Sequence, residues 1–254
     1  MPIRGKAGDG HYQDMKRAQL FTLAGLLLTS GLASATTIEY EGMDASRSAS
    51  VWMSFTYMPG DTMLNGRTAT STTKKNEEVT VGVMSVSFDG GLTLQDAFCV
   101  DRFAYISEGS YQVNLTSPST VANGDRAAWL LHDILPQINA ATGATQDNLA
   151  AALQIAIWDI VHDGGDGFTA GRIQQSSSYR NPTGSIILNL ANTMVSSSQG
   201  QSYVKAVVLT NVNGANLTQR LMVDRPGDAV PEPSTWALAL TGLVWAVLRR
   251  AKRG

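Results

Sequence analysis

The segment Ala151 to Asp163, AALQIAIWDIVHD, constrains the fold more than any other stretch of the chain. Leu153, Ile155, Ala156, Ile157, Trp158, Ile160 and Val161 are apolar almost all the way round a helical wheel. A helix of that kind has no face to give to water and belongs inside a protein. Gln154 is the exception within it. Its amide is costly to bury without hydrogen-bond partners, so the fold must bring something to it.

The two ends of the chain have a different character. Met15-Lys16-Arg17 precedes AQLFTLAGLLLTSGLASA, a basic start followed by an apolar run and small residues. This is the layout of a secretory signal peptide, with Ala33-Ser34-Ala35 as the cleavage site before Thr36 and translation expected to start at Met15. At the other end, Val230-Pro231-Glu232-Pro233 leads into an apolar run, Trp236 to Leu248, and then Arg249, Arg250, Lys252 and Arg253. As a helix that run is only ~20 Å long against a ~30 Å hydrocarbon core, which suits a transient hold better than a permanent anchor. The basic residues after it hold that end in the cytoplasm.

The Pro231-Glu232-Pro233 triplet, the short apolar run and the basic tail together resemble the PEP-CTERM sorting signal. That signal occurs on exported proteins of Gram-negative, exopolysaccharide-producing bacteria. The resemblance implies an exosortase as processing partner, removal of the tail, and delivery to the cell surface, outer membrane or extracellular matrix. An ordinary single-span C-terminal anchor is the simpler alternative.

Between the tails lies enough chain for one domain with a real core. Setting both tails aside removes eight of the 19 Lys+Arg and three of the 21 Asp+Glu, leaving 11 basic against 18 acidic residues and a net charge of −7. No basic stripe exists to neutralise phosphates, so nucleic acid is not an expected partner.

The periodicity of this body runs strand-rich, helical, strand-rich. SVWMSFTYM reads as a strand, followed by a loop from Pro59 to Asn76. In EEVTVGVMSVSFDGG the period-2 pattern shifts phase near Met84, as a β-bulge would require. LQDAFCV and YQVNLT are further strands. DRAAWLLHDILPQI reads as a helix capped by Asp125, with Trp129, Leu130 and Ile134 buried and an end near Pro136. The central helix begins at the Thr145/Asp147 cap and stops at Gly164-Gly165, and a third helix covers Ile186 to Val195. SYVKAVVLT and LTQRLMVD flank Asn213-Gly214, a strong hairpin turn. The expected fold is α+β: a sandwich- or barrel-like strand part with a helical section inserted, followed by further strands.

The single cysteine, Cys99 in FCVD, sits in one of these strands. A lone thiol in an exported protein is either a reactive group or a small apolar filler. Gln154 favours the first. A thiolate that attacks a glutamine side-chain amide expels ammonia and leaves a thioester, so two groups awkward to bury disappear at once. The thioester is also a stored acyl electrophile that awaits an amine or hydroxyl. Trp158, one helical turn from Gln154, lies on the same face to shield it.

Phe98-Cys99 and Leu153-Gln154-Ile155-Ala156-Ile157-Trp158 resemble the two motif halves of the bacterial thioester domain family. The resemblance implies a β part and a helical part that meet at the bond, and covalent capture of a nucleophile on a target surface. Cys99 and Gln154 would form the bond, with Phe98 and Trp158 supporting it. The covalent target would be a surface protein amine or a polysaccharide hydroxyl, and the membrane would be engaged only transiently, through Trp236–Leu248. No cofactor is expected, and bonding once per molecule is not enzymatic turnover. The chain then divides into a signal region at 1–35, a thioester-domain-like body at 36–225 and a sorting region at 226–254.

Three other readings compete. In a structural matrix protein, Gln154 would be an amide bonded to backbone and Cys99 a core filler. A cysteine hydrolase would pair Cys99 with His162 or His132 as base. A metal site at HDGGDG has only Asp163 and Asp166, too few carboxylates, so that loop reads as a tight polar turn and no metal is expected.

Overall fold

A computed structural model describes residues 35–224 apart from 64–65, 89, 91, 177–181 and 213–218. The described residues belong to one compact unit, Ala35–Asp228. Seven strands and three helices form in the order β1 (Thr36–Tyr57), β2 (Thr73–Ser87), β3 (Leu94–Cys99), β4 (Gly109–Thr116), α1 (Gly124–Ala140), α2 (Gly143–Asp163), β5 (Ile173–Gln175), α3 (Pro182–Ser197), β6 (Val207–Asn211) and β7 (Leu221–Val223). The fold is α+β with the helical section set between strands.

Every strand pairing is antiparallel. The order β2-β3-β7-β6-β4-β1 closes on itself because β1 also pairs with β2, so six strands form a barrel and β5 adds to the outer part of β1. Closure leaves few bare strand edges. β1 and β2 are long enough to continue past the barrel as a ribbon from Ser48–Tyr57 to Thr73–Gly82.

The register of this ribbon breaks where the phase shift near Met84 predicts, between Ser48↔Gly82 and Met43↔Met84. The surplus residues are on β1, though: Asp44 to Arg47 bulge opposite Val83 alone. Arg47 holds the bulge through Asp44 at 2.7 Å and Asp96 at 2.6 Å. A Cβ at Gly82 would lie 2.3 Å from the Arg47 carbonyl, so β2 needs a glycine there to let the bulge approach. The loop expected over Pro59 to Asn76 ends earlier, because Thr73–Asn76 already pair with β1.

The helical layer explains the apolar wheel. α2 packs against α1, α3 and the β1–β2 ribbon, and every residue from Ala150 to Val161 is buried. It starts at Gly143 after Thr142, earlier than the Thr145/Asp147 cap, and ends at Gly164 in the left-handed conformation (φ 74). α1 differs from expectation at both ends. Its N-cap is Asn123, whose amide donates to the Ile160 carbonyl at 3.0 Å and so ties α1 to α2. Asp125 sits in the first turn, where its charge suits the helix dipole. The helix runs through Pro136 to Ala140, and its buried stripe is Ala127, Leu130, Leu131, Ile134 and Ile138, with Trp129 only half-buried. α3 covers the expected third helix. β6 and β7 pair as the two arms of the expected hairpin, whose Asn213-Gly214 turn lies outside the described residues.

Because α2 is enclosed on all sides, Ile157→Ala is expected to destabilise the protein by about 2–5 kcal/mol. Ile186→Ala, at a position 51% exposed on α3, should cost within about 0.5 kcal/mol. Urea unfolding of the two variants beside wild type checks both.

Candidate functional site

Cys99 ends β3 and Gln154 lies mid-way along α2, and both are fully buried. The fold brings them together across 55 residues of sequence. The Cys99 backbone N–H donates to Gln154 Oε1 at 2.9 Å, and Gln154 Nε2 donates to the Cys99 carbonyl at 2.7 Å. A single side chain therefore closes a two-bond ring with the backbone of a single residue. That arrangement holds the glutamine Cδ beside Cys99, whose Sγ is one methylene away from the clamped backbone.

The surroundings are apolar and aromatic. Phe98 is fully buried next in sequence, and Trp158 is only 4% exposed. The Trp158 ring packs edge-on to Phe55 with centroids 6.2 Å apart. Its Nε1 is buried without a hydrogen-bond partner, close enough to favour the Cys99 thiolate. Burial outweighs that effect and pushes the Cys99 thiol up to about 12, with the Asp101 charge adding to the rise and Arg102 opposing it. As a free thiol, Cys99 therefore keeps its proton at neutral pH.

Neither of the two histidines among the described residues is placed to act as a base for it. His162, at the end of α2, accepts from the Arg102 backbone N–H at 3.2 Å through Nε2. Nε2 is thereby committed to the backbone three residues after Cys99. Burial drives His162 down to about 4, so the ring is neutral at neutral pH. His132 stacks on Tyr203 at 4.1 Å and bonds Asp224 at 2.9 Å on an exposed part of α1. Among the described residues, no histidine is bonded to the Cys99 thiol as the base of a cysteine hydrolase would be.

One buried residue beside the pair was not legible as functional in the sequence. Arg102 is 5% exposed, lies 3.9 Å over the Phe55 ring and 5.5 Å from that of Trp158, and pairs with Glu77 at 3.3 Å. Tyr57 completes this cluster, bonding both Glu77 and Arg102. Its partners come from β1, β2 and α2, so nothing near Arg102 in sequence signals its burial. A second such group is Asp159, which joins Asp163 and Asp166 in a trio of carboxylates at the end of α2. Pro231, Glu232 and Pro233 lie outside the described residues. No helix among the described residues is long and apolar enough to cross a membrane.

Residues 96–200 match the family model of the thioester domain. The matched stretch contains Cys99, Gln154 and all three helices, while β1 and β2 precede it. This part of the chain is thus similar to thioester domains over the region that builds the cysteine–glutamine contact. No curated protein and no solved structure matches the chain.

His162 makes the stability of the fold depend on pH. Its folded pKa, about 4, lies below its ordinary value of 6.5, so the unfolded chain binds the proton more readily between those values. The contribution is fully present above about pH 6.5 and falls by about 3 kcal/mol as pH drops to about 4. Urea unfolding at neutral and acid pH should show a steeper loss for wild type than for His162→Gln. Equal losses would exclude a buried neutral histidine.

Proposed function

We propose that this is an exported surface or matrix protein whose body carries an internal thioester between Cys99 and Gln154, used to attach covalently to a nucleophile on a partner. The observation that carries this reading is the pair of hydrogen bonds between the Gln154 amide and the Cys99 backbone. In the forming step, Cys99 Sγ attacks Gln154 Cδ, the Cδ–Nε2 bond breaks, and nitrogen leaves as ammonia with the thiol proton. The Cys99 N–H already faces the oxygen on which negative charge develops, which is where a donor lowers the barrier. The product also replaces a buried thiol and a buried primary amide by a group that asks for few hydrogen bonds.

In the capture step, a lysine amine or a sugar hydroxyl attacks the same carbon. An amide or ester bond forms, the C–S bond breaks, and Cys99 recovers a proton as a thiol. Each molecule bonds once, with Trp158 and Phe98 keeping water from the bond until then. The apolar enclosure suits this role, because premature hydrolysis would waste the single stored acyl group.

The sorting reading rests on sequence pattern. Residues 1–35 would direct export, 36–225 form the thioester-domain-like body, and 226–254 carry a PEP-CTERM signal read by an exosortase at Pro231-Glu232-Pro233. Trp236–Leu248 would hold the precursor in the membrane until the tail is removed. The destination would be the surface, outer membrane or matrix of a Gram-negative bacterium.

A second reading has an observation in its favour. The same two hydrogen bonds satisfy the Gln154 amide without any covalent step, as in a passive structural matrix protein. Intact mass of the purified protein, beside Cys99→Ala and Gln154→Ala, separates the two. The thioester reading expects wild type to be short by one ammonia, both variants to show full mass, and methylamine to add to wild type alone. A full wild-type mass with a titratable thiol would leave the matrix reading. For the sorting signal, replacing Pro231, Glu232 and Pro233 by alanine in an exosortase-bearing host should leave the uncleaved precursor in the inner membrane.

A further inference from the structure

The C-terminal turn of α2 and the loop after it gather three carboxylates. Asp159 and Asp163 are one turn apart on the same helix face, and Asp166 returns from the glycine-rich loop. One oxygen from each lies within 4.8 Å of the other two. Like charges so close repel, and they stand at the end of the helix where the dipole is already negative. Among the described residues, none of the three takes part in a salt bridge. Arg126 is near, but its donors go to Ser198 Oγ and to the Gly164 and Val195 carbonyls.

A separate observation shows that one oxygen of the cluster lacks a partner. Asp159 is 0% exposed, and its Oδ1 has no hydrogen bond at all. Only Oδ2 is engaged, by the Gly167 N–H at 3.2 Å. A carboxylate oxygen so buried requires a proton or a cation. Asp163 is meanwhile held in place by the Arg172 and Ile173 backbone N–H groups at 2.8–2.9 Å, with lone pairs left over.

We propose that Asp159, Asp163 and Asp166 form a binding site for one calcium ion. The donors are hard oxygens, the class that takes calcium or magnesium rather than a softer metal. Two oxygens on one calcium at ~2.4 Å stand at most ~4.8 Å apart, and no pair of the trio exceeds that limit. Calcium's adaptable coordination suits carboxylates anchored at separate points of a helix and a loop, with water filling the other positions. Magnesium demands a tighter octahedron. The ion would join the end of α2 to the loop that leads into β5, and thereby brace β5 against β1. Cys99 and Gln154 take no part in it.

The test uses the full chain, stripped with EDTA and dialysed, then titrated with calcium chloride in a calorimeter and melted with and without millimolar calcium. One ion per chain and a raised Tm are expected, at an affinity of about 10⁻⁴–10⁻³ M, the range of extracellular calcium modules. Asp166→Asn, at an exposed position, should weaken calcium by at least about tenfold and remove most of the Tm rise. Asp159→Asn should also lose the response while its calcium-free form melts no lower than wild type, because the unpartnered charge is gone. No uptake by wild type, an unchanged response in Asp166→Asn, or tighter binding of magnesium overturns the assignment. These readouts do not involve the thioester mass, so the two proposals fail separately.

Discussion

Everything in this fold is arranged around the burial of α2. A helix that is apolar on all sides cannot lie on a surface, and the chain surrounds it with α1, α3 and the β1–β2 ribbon. Burying Leu153, Ile155, Ile157 and Ile160 contributes roughly 1.5–3 kcal/mol for each side chain. The rest of the architecture follows from meeting that demand. β1 and β2 must outgrow the barrel to reach the helix, and Gly82 lets the β1 bulge redirect them.

Enclosure then determines what the polar groups of α2 have to do. Gln154, Asp159, His162 and Asp163 face an interior that does not solvate them, so each is either met by backbone or left with an unanswered atom. Gln154 is met by Cys99, His162 by Arg102, and Asp163 by Arg172 and Ile173. Two of these contacts fasten the helix to the end of β3 and the residues just after it. The cysteine and the residues just after it are thus fastened to a helix that cannot move without exposing its core. Such preorganisation suits a bond between two side chains that must meet once and stay dry. Asp159 is the exception, since one of its oxygens is left without a partner.

Much of this was legible in the sequence because it depends on local periodicity. The period-2 runs located six of the seven strands, and the 3.6-residue pattern located the three helices. β5 escaped notice because three residues carry no period, and its existence depends on pairing with Met53–Phe55. The cap of α1 was misplaced at Asp125 because Asn123 works through α2 rather than through its own helix. Pro136 reads as a stop in the sequence because proline normally ends a helix, yet α1 runs past it and buries Ile138.

At the candidate site the division is sharper. Sequence alone determined that α2 is buried, that Gln154 within it needs a partner, and that Cys99 is the one thiol available. Those conclusions require only composition, spacing and the cost of hiding an amide. Only the tertiary structure decided that the amide meets the backbone of Cys99 itself, that Arg102 is sunk among Phe55, Tyr57 and Trp158, and that Asp159 joins Asp163 and Asp166. Each of those contacts joins side chains to partners set by packing direction, and direction is decided by the helix's rotation against its neighbours, which no local pattern encodes.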